Sequence, residues 1–114
     1  MSIKKYTCPP QTPSGSGTEP GRGTIMNLEQ AMKVALANTF AFYLKAHNFH
    51  WNTEGPNFPQ YHKFLDDLYN EVWLAVDAVA EHIRALDMYA PGSFQRYSEL
   101  STIKDQTMVP RAEL

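Results

Sequence analysis

Cysteine and long apolar runs are scarce in this sequence, and both shortages narrow what the chain can be. Cys8 is the only cysteine among 114 residues, which excludes an intrachain disulfide and a cysteine-rich zinc site. No stretch approaches the ~18–20 consecutive apolar residues of a membrane span. The first eight residues lead into proline and glycine where a signal peptide would have its apolar core. We therefore expect a cytoplasmic protein with room for one domain.

A large excess of charge of either sign is also absent. The net charge is −2, so the chain as a whole is not a basic nucleic-acid binder. Residues 1–26 hold four of the eight prolines and four of the six glycines and carry a charge of +2, whereas residues 27–114 carry −4. We predict a flexible tail over residues 1–26, which cannot bury a core, and one folded domain over residues 27–114.

Residues 28–51 have the pattern of an amphipathic helix. Side chains that favour burial recur there at three- and four-residue steps, with no glycine or proline between them, at Leu36, Phe40, Tyr43, His47 and His50. Further apolar residues widen the stripe, so more than one neighbour should cover this helix. Within the stripe, His47 is expected to be a buried structural histidine.

Two more helices should follow. A Gly-Pro pair ends the first helix, and Asn57 with Gln60 has the spacing of a capping box for a second helix over residues 58–90. A Pro-Gly pair ends that helix, and a short third helix runs from a cap at Ser93 to Leu100. The sequence predicts an all-α fold with two long antiparallel helices. Alone they would expose apolar faces, so the chain needs a partner, most simply a copy of itself.

Four side chains suited to metal binding lie on the second helix: His62, Asp66, Asp77 and Glu81. At ~100° per residue they fall at about 0°, 40°, 60° and 100° around the helix axis, within one sector. The first two and the last two each have the four-residue spacing that can grip one ion. The outermost two are about 28 Å apart at ~1.5 Å per residue. One chain therefore supplies two half-sites.

The four positions are symmetric about a point between residues 71 and 72. Two copies of the helix, laid antiparallel about a two-fold axis there, would bring His62 opposite the partner's Glu81. Asp66 would lie opposite the partner's Asp77. A two-fold interface requires self-complementary pairing of this kind. Dimerisation would complete two equivalent sites.

His50 is the obvious additional ligand, because a tight hairpin brings the end of the first helix beside the start of the second. The predicted site combines His50, His62 and Asp66 of one chain with the partner's Asp77 and the partner's Glu81. Tyr69 and Trp73 would fill the seam between the two sites. Two imidazoles and several carboxylates without a thiolate favour iron or zinc. Carboxylate-rich sites in helical bundles are typical of iron–oxygen chemistry.

The chain resembles the Dps family (DNA protection during starvation), whose members are small ferritin-like proteins. The resemblance covers roughly residues 28–107. It is carried by the run Tyr43–Asn52 with its His-Trp pair, by Gly55–Phe58, and by the spacing of the five candidate ligands. Residues 78–86 and 90–93 also resemble the family.

The resemblance implies a ferritin-like helical bundle and a shell of twelve subunits. It implies that iron(II) is oxidised at sites shared across two-fold interfaces, preferentially by hydrogen peroxide, and is stored as a ferric mineral. By residue match the iron ligands are His50, His62, Asp66, Asp77 and Glu81, with zinc as a substitute metal. Trp51 would be the aromatic residue that quenches stray radicals.

The chain departs from the Dps pattern because the family's last two helices are missing. Three explanations stay open: the chain is a fragment, another chain completes the bundle, or short chains pair as in encapsulated ferritins. Two other functions also stay open. One is a non-catalytic scaffold that reuses a Dps-type dimer. The other is DNA binding through residues 1–26, which we expect to be weak because the tail carries only three basic residues.

Overall fold

The computed structural model describes residues 27–109, which form three α-helices and no β-strand. These are α1 (Leu28–Asn52), α2 (Phe58–Ala85) and α3 (Phe94–Leu100). The all-α prediction is confirmed. The predicted tail over residues 1–26 and the last five residues lie outside the described part of the chain.

α1 and α2 form an antiparallel hairpin. Ring contacts join Tyr43 to Trp73, His47 to Tyr69, and His50 to His62, so positions that advance along α1 retreat along α2. Side chains deep in the hairpin include Leu36 and Ile83, which are fully buried. The turn between the helices is short, and Gly55 takes a positive φ of 108° within it, a backbone conformation that glycine adopts without steric cost.

The predicted capping box at the start of α2 is wrong. Asn57 has φ −100° and ψ 16°, and its side chain makes no capping hydrogen bond. An N-cap residue normally has extended backbone, from which its side chain reaches the second or third helical N–H. Pro59 fills the second helical position and has no N–H to offer. The fixed φ of Pro59, and not a side-chain cap, therefore favours the start of the helix.

The predicted end of α2 is also wrong, because the helix stops at Ala85 and not near Ala90. Asp87 takes a φ of 61°. The Met88 N–H bonds to the Ile83 carbonyl at 3.3 Å, and the Asp87 N–H bonds to the Arg84 carbonyl at 3.1 Å. These two bonds form a Schellman motif, which usually has glycine at the left-handed position. Because aspartate occupies that position here, no glycine in the sequence marks the end of the helix.

α3 forms as predicted and packs on α1. The Ser93 hydroxyl accepts a hydrogen bond from the Arg96 N–H at 3.2 Å, as expected of an N-cap. The chain after α3 is held by Asn38 of α1, whose Oδ1 accepts from the Ser101 hydroxyl and the Thr102 N–H. α1 therefore contacts α2 on one side and α3 on another, as its broad apolar surface predicts.

The described helices leave much apolar surface uncovered. Exposed large side chains include Phe64, Leu74 and Phe94, at 61%, 71% and 81% exposure. Contiguous exposed apolar surface marks a place where another molecule or segment binds. None of the three helices has the length and apolar character that a bilayer crossing requires.

Candidate metal centre

Two histidines meet where α1 ends and α2 begins. The rings of His50 and His62 stack with centroids 3.7 Å apart. His50 Nδ1 lies 2.9 Å from the His62 carbonyl oxygen, and His62 Nδ1 lies 2.9 Å from the His50 carbonyl oxygen. His50 is buried, with 9% of its surface exposed. The prediction that the hairpin brings these two residues together is confirmed.

The paired hydrogen bonds determine which ring nitrogen is available to a metal. A carbonyl oxygen can only accept, so Nδ1 of each ring must carry the hydrogen. In the neutral ring, Nε2 is then the nitrogen with the free lone pair. A metal-bound histidine commonly has this arrangement, in which the other ring nitrogen donates to a backbone carbonyl and fixes the tautomer. His50 and His62 therefore have the right form to bind a metal through Nε2.

Asp66 lies one helical turn beyond His62 and is held by its own helix. Its Oδ1 accepts from the Tyr69 hydroxyl at 2.9 Å and from Asn70 Nδ2 at 3.3 Å. Lys63 Nζ is 3.8 Å from Asp66 Oδ2. The hydrogen bond to Asp66 is the main reason that the pKa of Tyr69 is raised. A carboxylate oriented by its neighbours in this way is typical of a metal ligand.

Asp77 and Glu81 lie farther along α2 and are exposed. In residues 27–109, no three histidine, cysteine, aspartate or glutamate side chains converge in a geometry that could hold a metal. The residues present fit a metal site only in part. The structure brings His50 and His62 together and leaves Asp66 one helical turn farther along α2, and the ligand role of all five residues stays a prediction.

Aromatic side chains pack beside the two histidines in an aromatic cluster, which comprises Tyr43, His47, Trp51, Tyr69 and Trp73. His47 stacks on Tyr69 at 3.9 Å and lies 3.9 Å from the Trp51 ring. The Tyr43 hydroxyl is hydrogen-bonded to His47 Nδ1 at 3.0 Å. Tyr43 also contacts the Trp73 ring at 4.8 Å. The cluster reaches the predicted site through Tyr69, which lies 5.0 Å from the His50 ring, and through His47, which lies 5.9 Å from it.

His47 is a central member of this cluster and is only half-buried, not fully buried as the sequence predicted. Partial burial lowers its pKa, and the neighbouring His50 lowers it further. Its side chain contacts the Tyr43 hydroxyl and the rings of Tyr69 and Trp51. Sequence analysis did not identify the Tyr43–His47 or Asp66–Tyr69 hydrogen bonds. The four- and three-residue spacings on one helix were the available signals.

A family model for the ferritin-like domain matches residues 29–111. The chain belongs to the ferritin-like domain family. Among curated relatives of this ferritin-like chain is antigen TpF1 of Treponema pallidum, which is 34% identical over 94 residues, or 82% of this chain and 52% of the relative. Another is the DNA protection during starvation protein of Brevibacillus brevis, which is 33% identical over 85 residues, or 71% of this chain and 57% of the relative.

Solved structures agree with the ferritin-like assignment. The structure of Dps from Staphylococcus aureus aligns with a TM-score of 0.65 and 35% identity, covering 69% of this chain and 53% of that one. Dps from Vibrio cholerae O1, described as one of the ferritin-like diiron-carboxylate proteins, aligns with a TM-score of 0.68 and 31% identity, covering 70% and 50%. The resemblance to Dps is confirmed. The chain spans about half the length of the curated relatives it matches.

Proposed function

We propose that two copies of this chain pair antiparallel through α2 and oxidise iron(II), which is the substrate of the shared sites. Each site would combine His50, His62 and Asp66 with the partner's Asp77 and the partner's Glu81. The observation that carries the proposal is the reciprocal pair of histidine–carbonyl hydrogen bonds. A metal-bound histidine commonly donates its other ring N–H to a backbone carbonyl in this way, which fixes the tautomer.

The exposed part of α2 supports the pairing. Trp73 and Leu74 are 51% and 71% exposed, and they flank Asp77 in a shallow depression. An antiparallel partner helix would cover these apolar side chains and bring its own half-site opposite His62. The predicted seam residues Tyr69 and Trp73 are already positioned by contacts with α1. Assembly into a shell of twelve subunits would use this dimer as its building block.

The chemistry follows from the donor set. Imidazole nitrogens and carboxylate oxygens suit iron, and they also accept zinc. Hydrogen peroxide is the oxidant that we propose. Two iron(II) ions each give up one electron, the O–O bond breaks, and two protons complete two water molecules. Because both electrons come from iron, no hydroxyl radical is released.

Trp51 has a protective role in this proposal. Its ring lies 3.9 Å from the His47 ring beside the predicted site, and it is 59% exposed. An indole can be oxidised by a radical that escapes the site. Trp51 would then protect the neighbouring histidine ligands from damage. The dimer as a whole would remove iron(II) and peroxide, which limits oxidative stress.

An anaerobic iron(II) titration followed by a peroxide pulse tests the function. The full chain should bind iron(II) saturably and form ferric absorbance on the pulse. Asp66→Asn keeps a hydrogen-bond acceptor for Tyr69 but loses the charge, and should weaken iron(II) binding by at least about tenfold. Asp67→Asn changes the adjacent aspartate, which pairs with Lys63 on the surface, and should bind like the unmodified chain.

The outcomes separate the candidate functions. Equal binding by the Asp66→Asn and Asp67→Asn variants would reject the assigned site. A scaffold that reuses the Dps-type dimer predicts dimers that show no peroxide-dependent iron oxidation. Zinc should compete for the same ligands, so loss of iron(II) binding on zinc addition in the unmodified chain is a further expected result.

A further inference from the structure

Tyr43 lies at the centre of the aromatic cluster. Its ring contacts Trp73 at 4.8 Å and Tyr69 at 6.4 Å. Its hydroxyl is hydrogen-bonded to His47 Nδ1 at 3.0 Å, and His47 in turn contacts Trp51 at 3.9 Å. Every other member of the cluster therefore reaches Tyr43 directly or through His47. Packing alone does not require a phenol–imidazole hydrogen bond at this point.

The hydrogen bond places the Tyr43 phenol beside an imidazole, whereas the phenol of the other tyrosine in the cluster is beside a carboxylate. A phenol loses an electron readily only when its proton leaves at the same time, which requires a neutral base within hydrogen-bond distance. His47 Nδ1 lies 3.0 Å from the Tyr43 hydroxyl oxygen and is the base within reach of the phenolic proton. By contrast, the Tyr69 hydroxyl donates to Asp66, which is assigned to the metal.

We propose that Tyr43 is a radical sink that collects oxidising equivalents from the aromatic cluster. An electron hole formed at Trp51, Tyr69 or Trp73 moves to Tyr43. Tyr43 gives up one electron, and its phenolic proton passes to His47 Nδ1. The product is a neutral tyrosyl radical on α1. His47 carries its own hydrogen on Nε2 and releases it to solvent.

The identity of the oxidant depends on the proposed function. The transfer of the electron hole does not, because it uses only residues of this chain. When a single iron(II) reacts with peroxide, the O–O bond breaks to give iron(III), hydroxide and a hydroxyl radical. The cluster then supplies the missing electron, and the proton released by way of His47 completes a water molecule. In total, iron(II), peroxide and the Tyr43 phenol give iron(III), hydroxide, water and the Tyr43 phenoxyl radical.

The transfer can be tested on the metal-free full chain by pulse radiolysis. Azide radicals oxidise tryptophan, and the tryptophan-radical absorbance should be replaced by tyrosyl absorbance at a rate independent of protein concentration. Tyr43→Phe, which keeps the ring and removes the hydroxyl, should lose the tyrosyl signal. Tyr89→Phe is the matched control, because Tyr89 lies against Arg84 outside the cluster, and should retain it. A tyrosyl signal that persists in Tyr43→Phe, or vanishes in Tyr69→Phe instead, overturns the assignment.

Two further readouts test the role of His47. His47→Phe keeps an aromatic ring between Tyr69 and Trp51 but has no proton acceptor, so it should slow the transfer and abolish its solvent deuterium effect. Unchanged transfer in this variant overturns the proton step. In the unmodified chain, ¹⁵N NMR should show the His47 hydrogen on Nε2, and a hydrogen on Nδ1 contradicts the proposal without any variant.

Iron chemistry gives an independent check. With less iron(II) than sites, a peroxide pulse should produce a tyrosyl radical by electron paramagnetic resonance in the unmodified chain and none in Tyr43→Phe. If iron oxidation is normal but the metal-free chain shows no transfer from tryptophan to Tyr43, only the radical-sink proposal is overturned. Successful transfer without iron oxidation overturns the proposed function and leaves the sink in place.

Discussion

Among single residues, Asn38 has the largest part in fixing the course of the chain after α3. Its Oδ1 accepts from the Ser101 hydroxyl at 3.0 Å and the Thr102 N–H at 2.8 Å, and its Nδ2 donates to the Thr102 hydroxyl at 2.9 Å. Asn38→Ala should lower the free energy of unfolding by about 1–3 kcal/mol, because several donors lose their acceptor together. Urea denaturation measures the change.

Asn38→Asp is the matched variant for this prediction. It keeps the acceptor oxygen for Ser101 and Thr102 and loses only the donated bond, so it should retain most of the stability. Equal losses in the two variants would show that the side-chain oxygen is not what holds the segment.

His47 is the residue with a clear pH dependence. Its folded-state pKa is lowered from 6.5, chiefly by burial, so the unfolded chain takes up a proton first as the pH falls. The His47 contribution should therefore lower stability as the pH drops through 6.5 and below. NMR titration of the His47 ring should give a midpoint below 6.5 in the folded chain. A midpoint at or above that value would contradict the assigned environment.

Sequence patterns identified the residue types of the half-site but not their hydrogen bonds. His50 and His62 could be placed together because a short turn forces the helix ends to meet. Their exchange of ring N–H and carbonyl groups depends on side-chain rotamers, which no spacing rule specifies. The same holds for Tyr69, whose hydroxyl could equally have faced solvent.

The end of α2 is determined by backbone conformation at one position. Asp87 occupies a left-handed conformation that costs most residues about 1–2 kcal/mol. Asp87→Gly should raise the free energy of unfolding by up to about 1 kcal/mol, since glycine adopts this conformation freely and loses part of the gain through its flexible unfolded state. Thermal or urea denaturation tests it. Asp87→Val, which is β-branched, should destabilise, and the same sign for both variants would refute the explanation.

The structural elements themselves were largely predictable from the sequence. Apolar periodicity placed the two long helices, and the short third helix was placed by its Ser93 cap. The errors occur at the two ends of α2, where Pro59 replaces a side-chain cap and Asp87 takes the position usual for glycine. At both ends, the helix boundary is formed by a residue other than the one that the sequence pattern predicted.

The exposed apolar side chains of the hairpin form surface that another molecule or chain segment would cover. Phe64, Trp73 and Leu74 are each more than half exposed, and one chain carries the proposed ligands as two separate half-sites. A dimer through α2 would cover part of this surface and complete the site. A charge introduced by Leu74→Glu should therefore shift the chain toward monomers in light scattering, whereas Glu71→Lys on the exposed face away from the proposed seam should not.

Complementation between variant chains tests the shared site most directly. Asp66→Asn impairs one half-site and Glu81→Gln the other, so each variant alone should bind little iron(II). After the two are unfolded together and refolded, mixed dimers contain one intact site, and about a quarter of the normal number of sites should return. A mixture of Asp66→Asn with His62→Ala, which both impair the same half-site, should recover none. Recovery in the first mixture only is the predicted result, and no recovery from chains that refold and dimerise normally would contradict the shared site.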